Sequence, residues 1–307
     1  MSRHRWTWLA GATLALVCAI GWTAAAAPKP TPKKPVDWAA LNPNFAGATF
    51  VKDPETCETC HEDSLKTYAG TQHAHAFARQ TPANGDCESC HGPRSKHIED
   101  PDLDFAIPAT AKANAAVCLQ CHQGGARIGW KAGAHHNGDI GCSSCHTVME
   151  QKSARALLST ARATDTCYTC HNDVRADMNK MSHHPVREGK MECSSCHNVH
   201  GATPSLMLKQ TVSETCATCH TEKRGPFVWE HAPVRESCAT CHAPHGSNNR
   251  KLLTGKDSFL CLSCHSYGGH INLPRYNRTS NPYGNGCVNC HMSVHGSNHP
   301  SGAKFTR

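Results

Sequence analysis

Twenty cysteines and ten histidines of this chain recur in one fixed spacing. They are Cys57/Cys60/His61, Cys87/Cys90/His91, Cys118/Cys121/His122, Cys142/Cys145/His146 and Cys167/Cys170/His171, followed by Cys193/Cys196/His197, Cys216/Cys219/His220, Cys238/Cys241/His242, Cys261/Cys264/His265 and Cys287/Cys290/His291. Each is C-x-x-C-H, the attachment signature of c-type haem. Residues i and i+3 lie on one side of a helical turn. Two thiols placed there can bond the two haem vinyl groups, and the next residue's imidazole can reach the iron as proximal ligand. A disulfide scaffold or a set of zinc sites would not explain why histidine follows all ten pairs. The spacing therefore predicts ten covalently attached haem c groups.

Ten irons need ten distal ligands if all are six-coordinate. Outside the motifs, and without His4, thirteen of the 24 histidines remain. One class precedes the even-numbered motifs: His73 or His75, His135 or His136, His183 or His184, and His231. Aligning H-H-P-V with H-A-P-V favours the first member of each doublet, hence His73, His135 and His183. A second class follows the even motifs: His97, His200, His245 and His295. In the last module Asn281-Pro282 occupies the first slot, and His270 of CHSYGGH is taken to replace it. The tenth position is open. Where CHNVH and CHAPH carry His200 and His245, CHTVM carries Met149. Either its thioether ligates one iron, or Met149 only packs and His75, His136, His184 or His299 supplies the donor.

The elements that hold these residues must be short. Hydrophobic residues reach 38 %, cysteines included, aromatics only 6 %, and Gly and Pro number 23 and 18. So little apolar material cannot build a multilayered core, which argues against a Rossmann enzyme, a β-sandwich or a helical bundle. Charge at 18 % and the regular Cys/His pattern also argue against a disordered chain. The predicted fold is a multihaem cytochrome c, elongated, with short α-helices and loops wrapped around a haem chain and little or no β-structure. Odd and even motifs each recur at roughly fifty residues, giving five two-haem modules at about 51–100, 110–150, 160–205, 210–250 and 255–307. HHPVREGKMECSSCHNVHG (183–201) against HAPVRESCATCHAPHG (231–246) is the clearest internal match. With about 28 residues per haem, the porphyrins supply the missing apolar interior.

Residues 1–26 read as a secretory signal, with basic Arg3 and Arg5, an apolar run from Trp8 to Ile20 and Ala24-Ala25-Ala26 at the cleavage position. Cys18 would leave with it. Residues 27–50 begin with the Pro/Lys-rich APKPTPKKPV and read as an extended leader. The formal charge of +7 loses two units with the signal. Two propionates per haem against about +1 at each ferric centre bring the oxidised holoprotein to about −5. The basic sequence is thus no argument for nucleic-acid binding.

CHGPRSKH (90–97), GAHHNGDIGCSSCH (133–146), EKRGPFVWEHAPV (222–234), CHAPHGS (241–247) and VHGSNHPSG (294–302) resemble the periplasmic decahaem cytochromes of outer-membrane porin–cytochrome conduits, the MtrA/DmsE/MtoA type. The resemblance covers the whole exported chain. It implies a molecular wire inserted in an outer-membrane β-barrel porin. The wire would pass electrons between a periplasmic or inner-membrane quinol-linked cytochrome and an extracellular multihaem cytochrome, for metal reduction or Fe(II) oxidation outside the cell. It also implies bis-histidine haems, and Met149 stands where histidine is usual. Filled axial positions leave no iron open to substrate, so the reading is a redox conduit rather than an enzyme. A multihaem reductase with one open haem and a freely diffusing periplasmic carrier are the competing readings.

Overall fold

The computed structural model describes residues 35–79, 86–266 and 286–306. The signal, the leader up to Lys34, His270 and Asn281-Pro282 lie outside the described residues. Everything below concerns the compact unit Pro35–Arg307.

The described chain is a succession of short helices and 3₁₀ turns without a β-ladder; pairing is confined to isolated antiparallel bridges. This is the multihaem cytochrome architecture expected from the sequence. Odd and even motifs differ locally. The odd motifs lie within or at the ends of α-helices: α2 (Pro54–Ala69, kinked at His61), α6 (Ala111–Cys118), α8 (Ala163–Tyr168), α10 (Val212–Cys216) and α12 (Asp257–Leu262). Side-chain caps start three of them. The Asp53 carboxylate accepts from the backbone N–H of Glu55 at α2. Thr110 accepts from the backbone N–H of Ala113, and Thr211 and Glu214 form a reciprocal capping box. From the second module onward the even motifs are 3₁₀ turns: Cys142–Ser144, Cys193–Ser195, Cys238–Thr240 and Cys287–Asn289.

Three even motifs lead into the same loop. Bridges His146↔Leu158, His197↔Met207 and His242↔Leu253 close it. Just before each bridge two successive residues are left-handed: Ala156-Leu157, Ser205-Leu206 and Lys251-Leu252. This turn aims the carbonyls of Ala156, Ser205 and Lys251 at the preceding motif histidine. Non-glycine residues rarely adopt this backbone, and the hydrogen bond to histidine is what holds it.

A clasp joins neighbouring modules. Ser182 and Ser247 exchange two backbone hydrogen bonds of 3.0 and 2.8 Å, and Trp229 and Ser297 exchange two of 2.9 Å. Beside each clasp a glycine follows a histidine. A Cβ on Gly246 would collide with the Asp177 carbonyl, and one on Gly296 (φ +134°) with the Phe227 ring. His245-Gly246 and His295-Gly296 are thus single devices, in which the histidine reaches into the neighbour and the glycine lets the chains touch.

Residues 35–50 are not the solvated spacer expected from the Pro/Lys-rich start. Helix α1 (Trp38–Leu41) and the 3₁₀ turn Pro43–Phe45 fold onto the first module. Trp38, Phe45 and Phe105, only 8, 3 and 4 % exposed, form an aromatic cluster with ring centroids 5.6 and 5.1 Å apart. The Arg94 guanidinium lies over both Phe rings. The Glu88 carboxylate, 3 % exposed, accepts from the backbone N–H groups of Val51, Lys52 and Arg94 at 3.1, 2.8 and 2.8 Å, tying this cap to the second motif. Phe45→Ala is expected to cost the cap about 3–5 kcal/mol. Limited proteolysis should then cut within residues 35–50 while the haem absorbance of the protein is unchanged.

Candidate haem-binding sites

In each motif from the third onward the carbonyl of the first cysteine accepts from the backbone N–H groups of the second cysteine and of the histidine. The bonds to the histidine N–H span 2.9–3.0 Å at His122, His146, His171, His197, His220, His242, His265 and His291. The first two motifs lie inside α2 and α4 (Asp86–His91). In this turn both thiols and the following imidazole project to one side, as attachment of one porphyrin demands.

Eight proximal imidazoles face a second imidazole. His61 faces His97 with ring centroids 6.2 Å apart, and His73 faces His122 at 5.8 Å with their Nε2 atoms 3.5 Å apart. His135 faces His171 at 6.3 Å, His146 faces His200 at 6.0 Å and His184 faces His220 at 6.4 Å. His197 faces His245 at 6.0 Å, His231 faces His265 at 6.0 Å and His242 faces His295 at 6.1 Å. A metal about 2 Å from each of two opposed imidazole nitrogens requires centroids about 6.3 Å apart. The spacing fits one iron between each pair of rings.

The unused ring nitrogen is anchored in a regular way. The proximal rings of His146, His197 and His242 engage through Nδ1 the carbonyls of Ala156, Ser205 and Lys251 at 2.7, 3.0 and 2.8 Å. His291 engages Lys304 similarly. The facing rings of His135, His184 and His231 engage the carbonyls of Val199, Pro244 and Val294 at 3.1, 2.8 and 3.1 Å. Such a bond makes Nδ1 the donor and leaves the Nε2 lone pair for a metal. Burial also holds His73, His200, His245 and His295 below the ordinary histidine pKa, which favours the neutral ligand form.

One expected residue is displaced by its neighbour. His184, not His183, faces His220. Both ring nitrogens of His183 are engaged elsewhere, Nδ1 with the Lys180 carbonyl at 2.7 Å and Nε2 with Glu188 at 3.0 Å. No lone pair is left for iron. Matching H-H-P-V to H-A-P-V by its proline sets the register one residue off, because position is decided by the Pro244 carbonyl sixty residues away. Of the remaining expectations, His270 lies outside the described residues. Met149 is half-buried in the loop after the fourth motif. No second imidazole faces His91 among the described residues.

The thiols also form an ordered series. Within each module the first cysteines adjoin: Cys57 and Cys87, Cys118 and Cys142, Cys167 and Cys193, Cys216 and Cys238, and Cys261 and Cys287. Between modules the second cysteines are close enough to affect each other's ionisation: Cys90 and Cys121, Cys145 and Cys170, Cys196 and Cys219, Cys241 and Cys264. Read end to end, the ten motifs are threaded in sequence order, with no motif skipped.

Exposure follows motif class. The second cysteines of the five odd motifs, Cys60, Cys121, Cys170, Cys219 and Cys264, are exposed, as is Cys290 of the tenth motif, whereas the other motif cysteines are partly covered. Cys60 and Cys290, the second cysteines of the first and tenth motifs, end the thiol series.

Comparison with known proteins recognises the motif-bearing stretches. A family described as the doubled CXXCH motif matches residues 135–176, 183–225 and 231–270, and the cytochrome c554 and c-prime family matches 56–86 and 95–147. The multiheme cytochrome MtrA of Shewanella baltica is 38 % identical over 288 residues, 88 % of this chain and 86 % of that protein. The chain belongs to the MtrA family of multihaem cytochromes. As an MtrA-type cytochrome it is an electron-transfer protein that carries haem c. The C-type polyheme cytochrome OmcB of Geobacter sulfurreducens is 25 % identical over 230 residues, and the match spans only 27 % of that protein. No helix among the described residues is long and apolar enough to cross a membrane.

His184→Ala is expected to open one haem, seen as carbon monoxide binding to the reduced protein by about one haem's worth of absorbance. His183→Ala should leave the spectrum unchanged.

Proposed function

We propose that this MtrA-type chain carries ten haem c groups in sequence order and serves as the periplasmic wire of an outer-membrane conduit. In this reading a β-barrel porin sheathes it, and electrons pass between the periplasm and the cell exterior. The unbroken series of adjoining motifs carries the reading. When bound, haem c supplies one-electron exchange at iron, with a potential tuned by its ligands and surroundings.

The chain's own residues supply attachment, axial ligands and order. Twenty thiols fix the porphyrins, with Cys60 and Cys290 at the exposed ends of the series. Ten motif imidazoles serve as proximal ligands, and His73, His97, His135, His184, His200, His231, His245 and His295 serve as distal ones. His270 is proposed for His291. Nδ1 anchoring on backbone carbonyls holds the rings' tautomer and orientation. Adjoining cysteines keep each attachment edge against the next along the whole series. Opposed pairs of imidazoles leave no room for a substrate at iron, which favours a conduit over a reductase.

The conduit reading is supported by the likeness to MtrA over nearly the full length of both proteins. The described residues hold no apolar helical span, so in this reading they take a partner to pass electrons through a membrane whose total thickness is about 40–45 Å. A barrel with a polar lumen meets that need. The donors and acceptors at the two ends would be a quinol-linked cytochrome inside and a multihaem cytochrome outside, with extracellular iron as the final reactant.

The test is mass and partnership. Intact mass of the exported protein should show ten haem additions. Pull-down from outer membranes should recover a β-barrel protein, and liposomes holding the pair should pass electrons from an internal dye to an external ferric chelate. A soluble monomer with ten haems and no barrel partner would favour the diffusing carrier. Carbon monoxide binding to the native reduced protein would favour the reductase.

A further inference from the structure

Neighbouring modules exchange histidines reciprocally. At the junction of the second and third modules, His135 faces forward to His171 and His200 faces back to His146. At the next junction His184 faces forward to His220 and His245 back to His197. At the last, His231 faces forward to His265 and His295 back to His242. Each returning histidine lies three or four residues beyond an even motif and faces the even motif one module earlier.

The first junction keeps the forward half of this exchange, with His73 facing His122. The return position is Met149. It stands three residues beyond His146, as His200 and His245 stand beyond His197 and His242. Its loop has the same closing bridge, the same left-handed pair and the same carbonyl bond to the motif histidine. The register aims this position at the second motif, whose His91 faces no imidazole among the described residues. We propose that Met149 is the second axial ligand of the haem held by Cys87, Cys90 and His91, a reading that rests on the haem-bearing function above.

The spare histidines are placed elsewhere. His75 lies on α3 (Gln72–Arg79), two residues and more than half a turn from His73. His136 packs on Trp130, which also touches His200, so it sits beside a pair of rings already complete. Nδ1 of His299 accepts from the Ser301 N–H at 3.1 Å. The seat of Met149 also differs from the others. Glu150 follows it where glycine follows the returning histidines. Nδ1 of His73 is buried without a hydrogen bond, instead of resting on a carbonyl as in the later modules. An unbranched thioether with three rotatable bonds can adapt to a shifted loop better than a flat ring that must enter along its own plane.

A thioether ligand raises the potential relative to a second imidazole, so the second haem becomes the most oxidising of the series. The experiment is near-infrared magnetic circular dichroism of the oxidised holoprotein. The wild type should show a thioether-to-iron band of one-haem intensity. Met149→Leu should lose the band and bind carbon monoxide at one haem when reduced. Met149→His should lose the band without binding carbon monoxide, and the highest wave of its redox titration should move down. The band should also vanish from a nine-haem Cys87→Ala/Cys90→Ala protein. A wild type with ten haems and no band, or a band that survives Met149→Leu or the nine-haem variant, overturns the assignment and leaves the wire intact. Mass counting that finds no haem on Cys87 and Cys90 of the wild type overturns both.

Discussion

A porphyrin iron takes its two protein ligands from opposite sides of one plane, and a short segment that holds one of them cannot also supply the other. This constraint organises the molecule. The turn that closes each motif places two thiols and one imidazole on a single side. The opposing imidazole must arrive from another part of the chain. For the motif histidines from His122 to His265 it comes from the neighbouring module, and each junction after the first carries one imidazole in each direction. The modules are therefore linked through the groups they bind as much as through their own contacts. Outside the aromatic cap, buried apolar side chains among the described residues are scattered: a few alanines, Trp130, Leu157, Met178, Val186 and Met207. No continuous side-chain core joins them, which suits a chain whose interior is supplied by its cofactors.

Backbone details serve the same end. The left-handed pairs at Ala156-Leu157, Ser205-Leu206 and Lys251-Leu252 are unfavourable taken alone, yet they recur at one register because each aims a carbonyl at Nδ1 of a motif histidine. The glycines at 246 and 296 permit the contact that brings the histidine before them into the neighbouring module. A larger residue there would push apart two segments that now touch, and the imidazole would withdraw with them.

Much of this is legible in the sequence, because covalent attachment writes itself as a five-residue word. The motifs, their grouping into pairs and the two classes of second histidine follow from spacing alone. The choice between His183 and His184 does not. It depends on a carbonyl at Pro244, distant in sequence, and on Glu188 and Lys180 occupying the other ring. The cap on the first module is also hidden. Trp38 and Phe45 follow a run of Pro and Lys, and two isolated aromatics carry no periodic signal. Glu88 lies between two cysteines as one of twenty variable motif positions, but its carboxylate gathers three backbone N–H groups. The His-Gly dipeptides at 200–201, 245–246 and 295–296 are the signal that could have shown how the modules are joined.

Because donors are traded in both directions at each junction, the array has a natural unit of growth and loss. Excising an entire interior module brings together two faces that already match, and every iron regains a partner. Removing half a module leaves one donor without an iron and one iron without a donor. Cytochromes built on this plan should therefore lengthen or shorten by two haems at a time, with the first module, whose His97 faces its own His61, free to differ.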